Sequence, residues 1–254
     1  MFSDTSVDFI DFSSHSNLNI SILYPNSGGY ITYNKELYKN LDNSKFTKQI
    51  LKESTKGTPL IKLGNGDPKI MLVSGIHGNE LPPQVASVKL CNYLLNNPFN
   101  GSIYIIPFAS PESSMYNMRN FKNKDVNRTS DTEGTIGNII VKTAKKLDIK
   151  AIGDFHSSSI NSNPGKYAVF SSFSPSLESH LMGLFISKYT NCEDLCYKKA
   201  GVVFKGALED ESNLAGIPAV TCETVSAFKH VDKGSAEKSF NQMIAFLRYF
   251  GIIE

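Results

Sequence analysis

The sequence predicts an α/β fold in which helices cover both faces of a mixed, largely parallel sheet. Short apolar runs, such as Ile70 to Ile76, have the length and continuity of strands that are buried on both faces. These runs alternate along the chain with longer segments whose apolar residues recur at helical spacing, as in Ile136 to Leu147. Alternation of this kind is typical of sheets whose strands are joined by helical crossovers.

The individual elements follow in chain order. Residues 1–56 are rich in Asn, Ser, Lys and Tyr, and we expect them to form an irregular or short-stranded lead-in. A motif-bearing core then occupies 57–250, and the 254 residues together are expected to form a single domain. The predicted strands are Pro59–Leu63, Ile70–Ile76, Ile103–Phe108, Ala151–His156, Tyr167–Ser172 and Ala219–Val225. The predicted helices start at Pro82, cover Ile136–Leu147 and Leu177–Tyr189, and end with a helix that carries Phe240 to Phe250.

Composition and charge argue against several classes of function. The formal net charge of +2 provides no field that would attract nucleic acid or an anionic membrane. The N-terminus has no secretory signal pattern, and no apolar run approaches the roughly 18 residues that a membrane-spanning helix needs. The cysteines are too few and too scattered for a disulfide scaffold, so we expect free thiols and a cytoplasmic location. They are Cys91, Cys192, Cys196 and Cys222.

Polar residues follow the first long apolar strand. His77 and Glu80 lie three residues apart in a tight turn, so an imidazole and a carboxylate can converge on one cation. Gly78 between them gives the backbone the freedom to make that turn. A pair of this kind also recurs by chance, and an exposed loop remains the alternative. The carboxyl ends of strands are, however, where sites gather in α/β sheets.

Two later strands carry similar candidates. Asp154 and His156 share one face of their strand because side chains alternate with a period of two. Glu223 lies among apolar strand residues, and burying an unpaired carboxylate there would be costly without a purpose. The alternatives are a hydrogen-bonded histidine at a strand end and a glutamate at an exposed one.

The combination favours a metal centre. Two histidines and one glutamate form a known ligand set for catalytic zinc that leaves a position open for water, and a further glutamate then serves as general base. The remaining histidines, His15, His180 and His230, have no comparable setting and are interpreted as surface or packing residues. A polar loop, Asp125 to Arg128, preceded by Arg119, has no assigned role from composition alone.

Four stretches in a fixed order suggest a family. GIHGNE (75–80), DVNR (125–128), DFHS (154–157) and GIPAVTCE (216–223) resemble motifs of the zinc carboxypeptidase superfamily, especially its short branch of succinylglutamate desuccinylases and aspartoacylases. The resemblance covers about residues 57–250 and implies a zinc carboxypeptidase-like fold. It also implies a role for each matching residue: His77, Glu80 and His156 as zinc ligands, Glu223 as catalytic base and proton donor, Asp125 orienting the first histidine, Asn127 and Arg128 holding a substrate carboxylate, and Arg119 stabilising the oxyanion.

The chain also departs from that family. Ser110-Pro111 replaces the usual Asn-Pro, Tyr197 matches the upstream tyrosine of the carboxypeptidases only loosely, and little chain follows Glu223 to form the domain that covers the site in aspartoacylases. The resemblance implies a zinc-dependent hydrolase that cleaves an amide bond near a free carboxylate, as an N-acyl amino acid deacylase. Two alternatives stay open. One is a carboxypeptidase acting on peptides or cell-wall stem peptides, and the other is an inactive zinc protein that binds carboxylates. In each case the partner is a small molecule or peptide, and no oligomeric state is indicated.

Overall fold

A computed structural model describes residues 17–254, and residues 1–16, which include His15, lie outside the described part of the chain. Eight strands form its centre. They are β1 (Leu18–Tyr24), β2 (Thr58–Gly64), β3 (Lys69–Ser74), β4 (Ser102–Ile106), β5 (Ala151–Ser158), β6 (Ala168–Ser172), β7 (Glu193–Tyr197) and β8 (Ala219–Val225). The helices are α1 (Lys35–Lys39), α2 (Lys45–Ser54), α3 (Leu81–Asn96), α4 (Pro111–Met115), α5 (Ile136–Leu147), α6 (Leu177–Thr190), α7 (Leu208–Leu214) and α8 (Ser235–Tyr249).

The strands form a single mixed sheet in the order β1-β2-β4-β3-β5-β8-β6-β7. The four central strands, β4, β3, β5 and β8, run parallel to one another. Antiparallel pairing joins β1 to β2, β2 to β4, and β6 to β8, while β7 pairs parallel with β6 at the far edge. The prediction of a mixed, largely parallel sheet is therefore confirmed.

Helices cover the sheet on both faces, as predicted. One apolar cluster lies under α3, α6 and α8 and includes Leu90, Phe155 and Phe246. The other lies under α5 and α7 and includes Ile140 and Ile152. All eight residues of β5 are buried, because this strand lies between β3 and β8 in the centre of the sheet. Complete burial of a side chain as large as Leu90 or Phe155 contributes about 1.5–3 kcal/mol to the free energy of folding.

The predicted elements match those observed, with α5 and β8 at the predicted bounds. The lead-in is more ordered than expected in its described part, because β1 pairs with β2 and α2 packs on the sheet. Ser44 caps α2 by accepting from the Thr47 amide, and Phe46 and Ile50 are buried beneath it. The short elements β7 and α7 had no clear sequence signal.

Two further expectations concern the cysteines and membranes. All four cysteines are free thiols, as predicted, and only Cys196 is exposed. Within residues 17–254, no helix combines the length and the apolar character that crossing a bilayer requires.

Candidate metal centre and substrate cavity

The three predicted metal ligands meet at the carboxyl ends of the central strands. His77 and Glu80 follow β3, and His156 lies near the end of β5, its parallel neighbour. One potential ligand atom from each of the three residues lies within 4.8 Å of the other two. All three side chains are buried. The structure thus brings together residues that are separated by up to 79 positions in the chain.

Local backbone geometry explains how His77 and Glu80 reach the site. Gly75 ends the strand with φ +71, a conformation that favours glycine. Gly78 is needed because there is no space for a side chain, and not because of its backbone conformation. A Cβ at this position would lie 2.1 Å from the carbonyl carbon of Ser113. Glu80 precedes α3 without capping it, so its side chain is free to face the histidines.

Glu80 bridges the two imidazoles. Its Oε1 lies 2.8 Å from Nδ1 of His77, and its Oε2 lies 2.8 Å from Nδ1 of His156. The amide of Ser157 also donates to Oε2 at 3.1 Å. Burial raises the pKa of Glu80, but the facing histidines outweigh it and hold that pKa below its usual range. The carboxylate is therefore ionised and aimed at the point where the ligand atoms converge.

Each histidine is held from behind by its own aspartate. Nε2 of His77 lies 2.8 Å from Oδ1 of Asp125, and Nε2 of His156 lies 2.9 Å from Oδ2 of Asp154. These contacts orient both rings so that their Nδ1 atoms face Glu80. Burial lowers the pKa of His156, but Asp154 and Glu80 raise it well above its usual value. The sequence had placed Asp154 on the same face as His156 without giving it a role, and this pairing supplies one.

The donor set fits a zinc ion. Two imidazole nitrogens and one carboxylate oxygen converge, and the outer imidazole nitrogens bond to carboxylates, the arrangement that orients zinc-binding histidines. A cation held by these three residues would replace the hydrogen bonds that join Glu80 to the two rings.

Glu223 faces the same point from β8. The parallel register between β5 and β8 places Glu223 directly beside His156. Its side chain is only 9% exposed, and its Oε2 has no hydrogen-bond partner in the described structure. Burial raises the pKa of Glu223 well above its usual value, and the nearby Glu80 carboxylate adds to the shift. A buried, unpartnered carboxyl with a raised pKa is a typical candidate for proton transfer.

The predicted substrate-binding residues come from the loop after α4. Asn127 accepts a hydrogen bond from the Leu208 amide at 2.8 Å through its Oδ1, which leaves its Nδ2 directed towards the metal ligands, 3.4 Å from Nε2 of His156. Arg128 is exposed, and its guanidinium carbon lies 5.3 Å from the centre of the Phe204 ring. Arg119 donates to Oε1 of Glu80 at 3.2 Å and to Asp125 at 3.1 Å, which places it beside the candidate metal ligands.

A cavity of about 310 Å³ opens beside the ligands. All the predicted site residues line it except Asp125, which lies behind His77. Tyr197, the loose tyrosine candidate, is not among the lining residues, since its ring stacks against Phe170 at 5.9 Å. The sequence analysis did not single out several other lining residues, among them Phe170, Phe204, Glu209 and Thr221. Glu209 belongs to the run Glu209-Asp210-Glu211, which is typical of a solvated face and gave no signal of a buried acid.

Comparisons with known proteins agree with this architecture. No family model matches the sequence, and no curated protein matches it. Among solved structures, succinylglutamate desuccinylase/aspartoacylase from Rhodobacter sphaeroides is similar with a TM-score of 0.60 and 16% identity, over 80% of this chain and 62% of that chain. A metallopeptidase-like protein from Shewanella denitrificans gives 0.63 and 13%, over 87% of this chain and 92% of that chain. Tripeptide-bound cell shape determinant protein Csd4 from Helicobacter pylori gives 0.59 and 13%, over 78% and 56%.

The chain has a zinc carboxypeptidase-like fold. The predicted resemblance is thereby confirmed at the level of the fold, and identities of this size carry no more than the fold. The chain spans less than two thirds of the length of the desuccinylase/aspartoacylase structures but 92% of the Shewanella protein. What any of these proteins binds or cleaves therefore enters only as a hypothesis for this chain.

Proposed function

We propose that the protein is a zinc-dependent hydrolase that cleaves an amide bond near a free carboxylate, and that it acts as an N-acyl amino acid deacylase. The observation that carries the proposal is the position of Glu223. Its unpartnered carboxyl faces the same cavity as His77, Glu80 and His156, across from a loop that can hold an anion. Similarity of fold to desuccinylase/aspartoacylase structures supports the choice of reaction.

His77, Glu80 and His156 would hold the zinc ion. When bound, zinc lowers the pKa of a water molecule and polarises a substrate carbonyl. Asp125 and Asp154 keep both imidazoles oriented through hydrogen bonds with their Nε2 atoms. The raised pKa of Glu223 makes its carboxylate a strong enough base to take a proton from the attacking water. Glu223 then delivers that proton to the nitrogen of the leaving amine.

Arg119 and the substrate-binding pair act on the charges of the substrate. Asn127 can donate through its amide nitrogen, which lies 3.4 Å from Nε2 of His156, and Arg128 offers a guanidinium with donors in a fork that matches a carboxylate. Holding the carboxylate fixes the scissile bond relative to Glu223. Arg119 is the candidate to stabilise the negative charge that develops on the carbonyl oxygen, where one donor is typically worth about 10²–10³ in rate.

A carboxypeptidase is the alternative that a specific observation favours. The cavity is also lined by Phe170, Phe204 and Thr221, which could surround the side chain of a terminal residue. The tripeptide-bound Csd4 structure has a similar fold, so a peptide such as a cell-wall stem peptide is a second substrate class for this site. An inactive carboxylate-binding protein is less well supported, because binding alone has no use for the buried Glu223.

A release assay tests the proposal. The zinc-loaded protein is incubated with N-succinylglutamate, N-acetylaspartate and short peptides, and free amine is quantified against the Glu223→Gln variant. We expect release that depends on Glu223 and is fastest for acylated amino acids. Faster release from peptides would favour the carboxypeptidase, and no release from any compound would contradict both hydrolases. The free thiols support a cytoplasmic location for the proposed enzyme.

A further inference from the structure

A buried acid that the proposed mechanism does not use lies in the cavity wall. Glu209 lines the cavity and is only 3% exposed. It stands in the first turn of α7, directly after Leu208, whose amide donates to Asn127. The position of Glu209 is thus tied to the residue that is proposed to hold the substrate carboxylate. A substrate bound to Asn127 and Arg128 would have its nearest side chain beside Glu209.

Glu209 is held in place by neutral donors and has no cationic partner. Its Oε1 accepts from Ser172 Oγ at 3.1 Å and from Asn213 Nδ2 at 2.6 Å. Within residues 17–254, no lysine or arginine forms an ion pair with it. Burial raises the pKa of Glu209 well above its usual value, and Asp210 adds to the shift. A buried carboxyl without a counter-charge gains most when a cation enters beside it.

The neighbouring wall is aromatic. Phe170 and Phe204 both line the cavity, with ring centres 5.5 Å apart and an interplanar angle of 79°. Phe204 already has the guanidinium of Arg128 over its ring, which shows that its face accepts a positive charge. When Arg128 is neutralised by a substrate carboxylate, its repulsion of a second cation falls. Aromatic faces beside a buried carboxyl form the chemical environment that recognises an alkyl ammonium group.

We infer that Glu209 selects the leaving amino acid of this site and favours one with a primary ammonium at the end of an alkyl side chain, such as lysine. The inference rests on the proposed function, because it takes Asn127 and Arg128 as the carboxylate-binding pair. The alkyl stem lies along Phe170 and Phe204, and the ammonium pairs with the Glu209 carboxylate, whose proton passes to solvent. An apolar side chain of the same length would leave that interaction unmade.

The test compares lysine with norleucine, which keeps the alkyl stem and lacks the ammonium. Zinc-loaded wild type is assayed with Nα-acetyl-lysine and Nα-acetyl-norleucine. It is also assayed with the matching dipeptides, in which acetyl-alanine is joined to lysine or norleucine. Calorimetry then measures binding of free lysine and free norleucine. Glu209→Gln is the test variant, because its amide oxygen can still accept from Ser172 and Asn213. Glu211→Gln, on the same helix but outside the cavity wall, is the matched control.

We expect wild type and the control to prefer lysine over norleucine by roughly 10²-fold, in kcat/KM or in Kd, and Glu209→Gln to lose that preference. Equal or better use of norleucine by wild type would overturn the inference, as would a lysine preference that survives in Glu209→Gln. The binding arm separates this inference from the proposed function. A protein that releases no amine yet binds lysine through Glu209 would contradict the hydrolase and still support the role of Glu209.

Discussion

The two ends of the cavity are built from different kinds of structure. At one end, His77, His156 and Glu223 stand at or just beyond three parallel central strands, each hydrogen-bonded on both sides. At the other end, Phe204 comes from a loop and Glu209 from the seven-residue helix α7. The first end depends on the register of a sheet, and the second depends on how short segments pack against each other.

The residues proposed for catalysis thus lie at the strand ends, and those proposed for substrate selection lie on the short segments. Strand ends hold the groups that must meet within hydrogen-bond distance, because a rigid sheet keeps reacting groups in place. Short segments can differ in sequence without disturbing the sheet, so they are suited to setting which substrate enters. Variants at the strand ends should therefore abolish metal binding or turnover for every substrate, whereas variants at the other end should change discrimination or stability.

The largest effect is expected from loss of a metal ligand. His156→Ala removes one of three converging donors and leaves Glu80 and Asp154 without their imidazole, so a single zinc ion should be lost from the chain. Zinc is measured by atomic spectroscopy after dialysis, with His180→Ala as a control histidine on α6. Full zinc occupancy in His156→Ala would show that the metal centre lies elsewhere.

Glu223→Gln should separate metal binding from turnover. Glutamine keeps the shape of the side chain but cannot accept a proton, so zinc content should be unchanged while kcat falls by roughly 10²–10⁴-fold. Because the base works only when ionised and its pKa is raised by burial, wild-type kcat/KM should fall on acidification at a pH above 4.5. Steady-state rates from pH 4 to 9 measure the loss of kcat in the variant and the pH dependence of wild-type kcat/KM, and atomic spectroscopy measures the zinc content. Near-normal turnover of Glu223→Gln would mean that another group is the base.

The sequence predicts the residues at the strand ends better than those on the short segments. The strand β3 lies in a continuous apolar run, and β5 and β8 each begin with apolar residues, so their carboxyl ends, and with them His77, His156 and Glu223, could be placed beforehand. Asp154 could be placed on the face of His156 but not paired with it, because strand periodicity gives direction and not contact.

The unpredicted residues lie where local pattern is weak. Glu209 sits in an acidic run that would be a solvated face on an isolated helix, and its burial arises only because α7 packs against β6 and β8. The strand β7 is a partly exposed edge without regular alternation, which is why Tyr197 could not be excluded from the site in advance. Helix α2 carries a usable signal in Ser44, Phe46 and Ile50, but the polar residues around it conceal that signal.

Arg128 lies between the two ends and should affect only one class of substrate. Replacing it with alanine removes a charged partner for the substrate carboxylate. For N-acyl amino acids, kcat/KM should therefore fall by an amount that corresponds to about 2–5 kcal/mol of transition-state stabilisation. Amidated or esterified analogues should be poor substrates of wild type and should lose little more in the variant. Equal losses for free and amidated substrates would indicate a structural role, such as its contact with the Phe204 ring.

The two aspartates behind the histidines give a smaller effect that can be compared directly. Asp125→Asn and Asp154→Asn each weaken the group that orients a ligand histidine, so zinc affinity should fall by roughly 10–100-fold in either variant. Competition with a chromogenic chelator measures the affinity, and the exposed Asp148→Asn serves as control. An unchanged zinc affinity in Asp154→Asn would show that the hydrogen bond between Asp154 and His156 has no role in holding the metal.

The smallest effect concerns stability and comes from Glu209. Its pKa is raised in the folded protein by burial and by Asp210, relative to an ordinary value of 4.5. The folded state therefore holds this proton more tightly than the unfolded state. Its contribution to stability is fully present below pH 4.5 and is lost as the pH rises through the folded pKa, at up to about 1.4 kcal/mol per pH unit.

Glu209→Gln carries no titrating proton at this position and should not show that loss. Urea denaturation of zinc-free wild type and variant at several pH values measures the difference in unfolding free energy, which should grow in favour of the variant from pH 4.5 upward and then level off. A difference that stays constant over this range would mean that Glu209 titrates alike in both states. The carboxyl would then be no better placed than a surface acid to meet a substrate ammonium.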